Sequence, residues 1–238
     1  MRRITLNEGE YYHIYNRGVD KRVVFTKPQE YRRFMRALVL LNDIRVVKLS
    51  RHLAKSFPGE VKPLPEIHRR GKGRPEKELL AGTQRREPLV AIGAFCLMPN
   101  HFHLYLTPLV DNGISKFMQR LQTSYTMYFN EVHERSGALF QGTFKAEHVD
   151  RDAYAKYLFS YIHLNPAKLV DSKWKEFGAR DFRNVREYVR TYQYSSLPEY
   201  LGKKHVVTDP SKFPQYFSSL RDIDAHIDTW LANKILQV

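Results

Sequence analysis

Cysteine is almost absent: the 238 residues hold one, Cys96. An intrachain disulfide, a zinc finger and a cysteine-ligated iron–sulfur cluster are thereby excluded. Long apolar runs are missing as well. None reaches the ~18 residues of a membrane span, and Met1-Arg2-Arg3 leads into no signal-peptide core. There is no GxxxxGK(S/T) phosphate loop and no GxGxxG, so nothing points to a nucleotide cofactor. No internal repeat is found. The expectation is a soluble, intracellular protein with no membrane partner.

Acidic residues are outnumbered, 25 Asp+Glu against 39 Lys+Arg, a formal charge of +14. Such an excess points to a polyanion, nucleic acid before acidic lipid, although charge alone leaves generic basicity open. With 42% hydrophobic and 13% aromatic residues, the chain is a folded protein rather than a basic tail. The charge is uneven. Arg45 to Val90 holds 12 Lys+Arg and 5 Asp+Glu, an excess of seven and half of the total. Pro58-Gly59, Pro63, Pro65, Gly71, Gly73, Pro75, Gly82 and Pro88 punctuate this stretch as a loop. Residues 50–88 read as a basic insertion into a domain that continues on either side.

Glu10 to Phe25 reads as a strand, a turn at Asn16-Arg17-Gly18 and a short second segment at Val23-Val24-Phe25. Pro28 can open a helix carrying Tyr31, Phe34, Leu38 and Leu41 at helical spacing. Leu89 to Pro108 reads as two strands joined through Met98-Pro99-Asn100. Asn112 can cap a helix with Ile114, Phe117, Met118, Leu121, Tyr125, Phe129 and Val132 apolar, stopped by Gly137. Phe140 to Val149 is strand-like. Asp150 or Asp152 can cap a helix through Tyr154, Leu158 and Tyr161 to Asn165, where Pro166 discourages continuation. The order predicts an α+β fold, an antiparallel-rich sheet with helices against one face. Residues 173–238 form a basic, aromatic extension ending in a helix around Asp222 to Leu236.

Two short patterns carry chemistry. In His101-Phe102-His103 the strand period of two turns both imidazoles to one side. Two neutral imidazoles a strand step apart can share a divalent ion and leave positions open for water and phosphate oxygens. Taken alone, a bare HxH is more often incidental. In Tyr161-Ile162-His163-Leu164-Asn165-Pro166, a spacing of four sets Tyr161 and Asn165 on one helix face. Asn165 can offer an amide oxygen to a metal beside the Tyr161 hydroxyl. A phenol of pKa ~10 needs a polarised phosphodiester or a nearby base to act as a nucleophile. Core packing of Tyr161 with Tyr154, Tyr157 and Leu158 is the competing explanation.

Together the motifs resemble those of the single-tyrosine HUH transposases, and within them the REP-associated tyrosine transposases. Tyr12-His13-Ile14-Tyr15-Asn16-Arg17-Gly18 is similar to the opening strand and turn of that family, and Met98 to His103 to its HUH strand. Leu139 to Ala146 resembles the strand before the catalytic helix, and Tyr161 to Pro166 the nucleophile helix. Tyr194-Ser195-Ser196 with Tyr200-Leu201-Gly202 resembles a segment beyond it. The resemblance spans Gly9 to Gly202, with the basic insertion unmatched, and implies a ferredoxin/RRM-like HUH sandwich over residues 1–172.

The resemblance further implies a metal-dependent transposase acting on single-stranded, hairpin-forming DNA. Tyr161 would attack a phosphodiester and leave a 5′-phosphotyrosine, while His101, His103 and Asn165 hold Mg²⁺ or Mn²⁺. It also implies a monomer or homodimer in the cytoplasm of a prokaryotic cell, associated with the nucleoid. Arg17 and Lys145, with Arg69, Arg70, Lys72 and Arg74 of an AT-hook-like stretch, are candidate DNA contacts. Two positions depart from the family pattern: Ser160 and Thr143 stand where basic residues are common. A non-catalytic hairpin-binding protein with the same fold is the alternative.

Other residues have simpler roles. Tyr157 is a weaker nucleophile candidate, and Tyr125 and Tyr128 suit packing or DNA contact. His163 points away from Tyr161, His148 is a possible extra ligand, His13 reads as strand packing, and Cys96 as a buried core residue. The stretch Phe182 to Tyr200 suits either base stacking or a helix packed on the sheet.

Overall fold

A computed structural model describes residues 4–45 and 87–232. Its sheet starts from β1, Tyr12–Arg17, whose side chains alternate between two faces. Tyr12 and Ile14 go to one side and join an apolar core. His13, Tyr15 and Arg17 go to the other. α1 (Pro28–Leu40) follows, then the hairpin of β2 (Val90–Met98) and β3 (His101–Pro108). α2 (Gly113–Val132) and β4 (Lys145–His148) complete a β-α-β-β-α-β unit with the antiparallel order β2-β3-β1-β4. This is the ferredoxin-like, split βαβ arrangement expected from the sequence.

α1 and α2 cover one face, where Phe34, Leu38, Phe117, Leu121 and Tyr125 pack on Ile14, Phe95, Leu97, Phe102 and Leu104. α3 (Asp152–Leu164) covers part of the other. Its Leu158 and Ile162 rest on Ala94, Cys96 and Met98 of β2. Small residues at 94 and 96 let the helix lie close, and Cys96 is fully buried as expected. Helices on both faces correct the expectation of one covered face.

Several local expectations shift. Val23–Phe25 is a loop rather than a strand: the Val24 and Phe25 amides both donate to the Pro99 carbonyl, at 2.7 and 3.0 Å. The Gly18 amide donates to the Asn100 carbonyl at 2.9 Å, so the segment after β1 grips the turn that leads to His101. Gly18 is required there, because a Cβ would lie 2.3 Å from the Arg22 carbonyl oxygen. Strand pairing around Phe140–Val149 is confined to β4 and an isolated bridge from Phe140 to Gly18. α2 ends before Gly137, and Arg151, without a side-chain cap, occupies the N-cap of α3. At Pro166 the chain tightens into the 3-10 turn Asn165–Leu169 instead of leaving the helix axis.

The C-terminal part builds a second apolar cluster on the first. α4 (Phe182–Thr191) and α5 (Leu220–Ala232) bury Val185, Val189, Ile223, Ile227 and Leu231 against Phe159, Leu164 and Trp174. Arg186 reaches Asp224 and Asp228, and Arg190 reaches Asp224. Thus α4 takes the packing role of the two open for it. Tyr194 to Ser196 runs along the outer edge of β2: Leu97 N donates to Tyr194 O at 2.9 Å and Ser196 N to Phe95 O at 3.0 Å. No helix among the described residues is long and apolar enough to cross a membrane.

Residues 46–86, most of the expected insertion with Arg69, Arg70, Lys72 and Arg74, lie outside the described residues. Its flanks meet: Ile44 N donates to Glu87 O at 2.8 Å, and the Asn42 side chain pairs with both backbone groups of Val90. Closure over a short connection follows. Replacing residues 48–84 by about six Gly/Ser residues removes between two and three doublings of loop length, each costing ~0.6 kcal/mol. The melting temperature of the shortened chain is therefore expected to stay level or rise by a few degrees, as checked by calorimetry; a fall of ~5 °C or more would show the segment packs on the domain.

Candidate active site

The register of β1 on β3 sets Tyr15 opposite His103 and Arg17 opposite His101. On the other side of β1, His13 faces Glu147 and Tyr15 faces Lys145. Histidines 13, 101 and 103, Tyr15, Glu147, Arg17 and Lys145 therefore share the face that α3 approaches. Arg17 and Lys145 are exposed, and the Lys145 ammonium lies 5.8 Å from the centre of the Tyr15 ring.

Helical spacing brings Tyr161 over this face. Its ring meets His103 edge-on, centroids 5.2 Å apart, and His13 at 6.0 Å. One turn on, Asn165 donates from Nδ2 to the Tyr161 carbonyl at 2.8 Å. That bond uses the amide nitrogen and leaves the oxygen, the one atom of this side chain able to ligate a cation. His101 Nδ1 contacts Asn100 Oδ1 at 2.6 Å, and His103 Nδ1 contacts His13 Nε2 at 2.8 Å. Both histidines are thus anchored through Nδ1 and keep Nε2, the donor set of a divalent cation site with oriented imidazoles. Among the described residues no group of three or more His, Cys, Asp or Glu is disposed to hold a metal; two imidazoles and an amide fall outside that description.

Electrostatics favour neutral imidazoles here. Burial, then Lys168 and Arg17, lowers His101 to about 4. Burial, then the neighbouring histidines, holds His103 well below its usual value. The Tyr161 phenol is raised, by burial first and then by Tyr157 and Glu147, with Asn165 pulling the other way. Lys175, exposed as a residue, sets its ammonium 4.4 Å from the centre of the Tyr161 ring. Shielding there, then Lys168, lowers it to about 8. His13 first, and then the hydroxyls of Tyr15 and Tyr154, which donate to Glu147 at 2.7 and 3.0 Å, hold the Glu147 carboxyl at about 2.

Of the residues singled out from the sequence, His101, His103, Arg17 and Lys145 share one sheet face beneath Tyr161, and Asn165 lies one turn from Tyr161. Others do not join them. His148 is on the opposite sheet face, bonded to Glu10 at 2.6 Å, so it is no ligand. His163 is buried against Ser196 Oγ at 2.7 Å. Tyr157 stacks between Tyr154 and Tyr161 and against Trp230. Ser160 is fully buried. The sequence reading missed Glu147, Lys168 and Lys175, and took His13 for packing. Alternation in His13-Ile14-Tyr15-Asn16-Arg17 was the available signal for His13.

The site is therefore a pair of histidines on one sheet face beneath a helix-borne tyrosine. Residues 77–165 match the family model of IS200-like transposases. This stretch of the chain is thus similar to IS200-like transposases, the family that the motifs resemble. The match includes Met98 to His103 and Tyr161 to Asn165, leaves out β1, and begins inside the segment read as an insertion. No curated protein matches the chain. Among solved structures, that of a REP-associated tyrosine transposase bound to a REP hairpin aligns over 88% of this chain and 93% of its own, at 13% identity and a TM-score of 0.48.

The phenol of Tyr161 is expected to titrate above 10 when followed by tyrosine ¹³Cζ NMR. Lys175→Met should leave that midpoint almost unmoved, because a lysine with a pKa of about 8 has lost its charge before the phenol ionises. A Tyr161 midpoint below 10 would contradict burial as the dominant influence.

Proposed function

We propose that this protein is a transposase that cleaves and rejoins single-stranded DNA beside a hairpin, with Tyr161 as nucleophile and Mg²⁺ or Mn²⁺ as cofactor. The observation that carries the reading is the contact of the Tyr161 ring with His103 on a face where His101, His103 and Asn165 each keep a ligating atom. His101, His103 and Asn165 would hold the cation, which when bound supplies Lewis-acid stabilisation of charge on a phosphodiester.

The chain's own residues do the rest. Tyr161 Oη forms a bond to phosphorus as the bond to the 3′ oxygen breaks. The phenol gives up its proton, and the leaving 3′ oxygen gains one and becomes a free hydroxyl. The strand end stays attached as a 5′-phosphotyrosine, so its ester energy is kept for rejoining and no nucleotide is needed. Below pH 8 the Lys175 ammonium over the ring favours the phenolate character that develops in this step. Arg17, Lys145 and Lys168 rim the face and offer sequence-independent phosphate contacts, which position the strand.

Incubation with a hairpin-bearing oligonucleotide and Mn²⁺ is expected to yield a covalent adduct on denaturing gels. Tyr161→Phe should abolish it while binding the same oligonucleotide within about twofold, since only the reacting oxygen is removed. An adduct from Tyr161→Phe would place the nucleophile elsewhere. Binding without cleavage by the unaltered chain, with any divalent metal, would favour the non-catalytic alternative. Lys175→Met should slow adduct formation about tenfold at pH 7, the worth of a partly desolvated cation–π contact. Measured across pH, that deficit should close above about 8, where the lysine is neutral in the unaltered chain.

A further inference from the structure

His13 is not simply a packing residue. Its ring is nearly parallel to that of His103, at 21° with centroids 5.1 Å apart, and Nε2 meets His103 Nδ1 at 2.8 Å. Two ring nitrogens at that distance need one hydrogen between them, and two arrangements supply it. Either His103 donates from Nδ1 and keeps a lone pair on Nε2, or His13 donates from Nε2 and pushes the His103 hydrogen to Nε2. Only the first leaves His103 able to ligate a cation through Nε2.

The other end of His13 decides between them. Its Nδ1 lies 3.6 Å from Glu147 Oε2, and this carboxylate is held in place by the hydroxyls of Tyr15 and Tyr154. A carboxylate accepts only, so it draws the hydrogen of a neutral imidazole to Nδ1 and leaves Nε2 as an acceptor. We propose that His13, oriented by Glu147, is a positioning residue that fixes the Nδ1–H tautomer of His103 and so aims its Nε2 lone pair at the metal position. Donation runs one way, from His103 Nδ1 to His13 Nε2, with the His13 Nδ1 hydrogen turned toward the Glu147 carboxylate 3.6 Å away. Asn100 does the same service for His101 with a single amide oxygen. The proposal rests on the reading of His103 as a ligand, and its test separates the two.

In the metal-free, DNA-free chain, two-dimensional ¹H–¹⁵N NMR of the imidazoles should report His103 as the Nδ1–H tautomer. His13→Leu should turn it into a mixture or into Nε2–H. Mn²⁺ affinity, read by calorimetry or electron paramagnetic resonance, should fall about ten- to a hundredfold in His13→Leu and less in Glu147→Leu. His13→Gln, whose amide oxygen can accept from His103, should recover most of that loss. An Nε2–H tautomer in the unaltered chain, or an unchanged tautomer and Mn²⁺ affinity in folded His13→Leu, would overturn the proposal. Since Glu147 is half exposed on the rim, Glu147→Leu, which removes every acceptor there, keeps the test open should His13→Leu fail to fold: equal Mn²⁺ affinity in that variant also counts against the relay. Tautomers as expected without any DNA adduct would count against the strand-transfer reading and leave the positioning role standing.

Discussion

The antiparallel register between β1 and β3 is the constraint on which the site depends. Because strand side chains alternate, a shift of one residue in this pairing would carry His13, Tyr15 and Arg17 to the opposite face. The apolar partners enforce the register. Ile14 opposite Leu104 and Tyr12 opposite Leu106 belong to the core beneath α1 and α2. The polar face gains its order from burial of the apolar one, and no residue of the site has to stabilise the sheet by itself.

α3 adds the second layer of constraint. Its apolar contacts with Ala94, Cys96 and Met98 hold Tyr161 against His103, and the same burial raises the phenol above its ordinary range. Close approach and reactivity therefore pull in opposite directions. One cation, the Lys175 ammonium, stands over the ring, while Lys168 acts on the two histidines. Half of the sequence's excess charge lies between Arg45 and Val90, yet the cations described at the site come from β1, β4, the turn after α3 and the short helix Trp174–Phe177.

Much of this was legible in the sequence because it is local. The pair His101 and His103 needs only a strand period, and Tyr161 with Asn165 only a helical turn. Glu147 and Lys175 were not legible, since their meaning comes from partners far along the chain, and the part of His13 emerges only once β1 is laid beside β3 and β4. The coverage of both sheet faces left a trace that was available: β2, VAIGAFCLM, is apolar throughout and buried along its length, the mark of a strand enclosed on two sides. The N-cap of α3 misled because two aspartates flank Arg151, and side-chain identity alone does not choose among neighbours. Val23 to Phe25 misled because a β-branched run hung on one carbonyl has the composition of a strand without a partner to pair with.

Tyr194 to Ser196 lies along β2 and takes up backbone groups of Phe95 and Leu97 that an edge strand would otherwise present to a stranger. Ser196 Oγ adds a further acceptor for the Phe95 amide at 2.9 Å. At the opposite border stands β4, four residues long and bearing Lys145, Glu147 and His148. Short, charged borders and borders already occupied resist templating by a second chain. The sheet is thus a ribbon hemmed on both sides: two copies of this protein could meet through helices or loops, but fusion of their sheets into one continuous surface is discouraged at either margin.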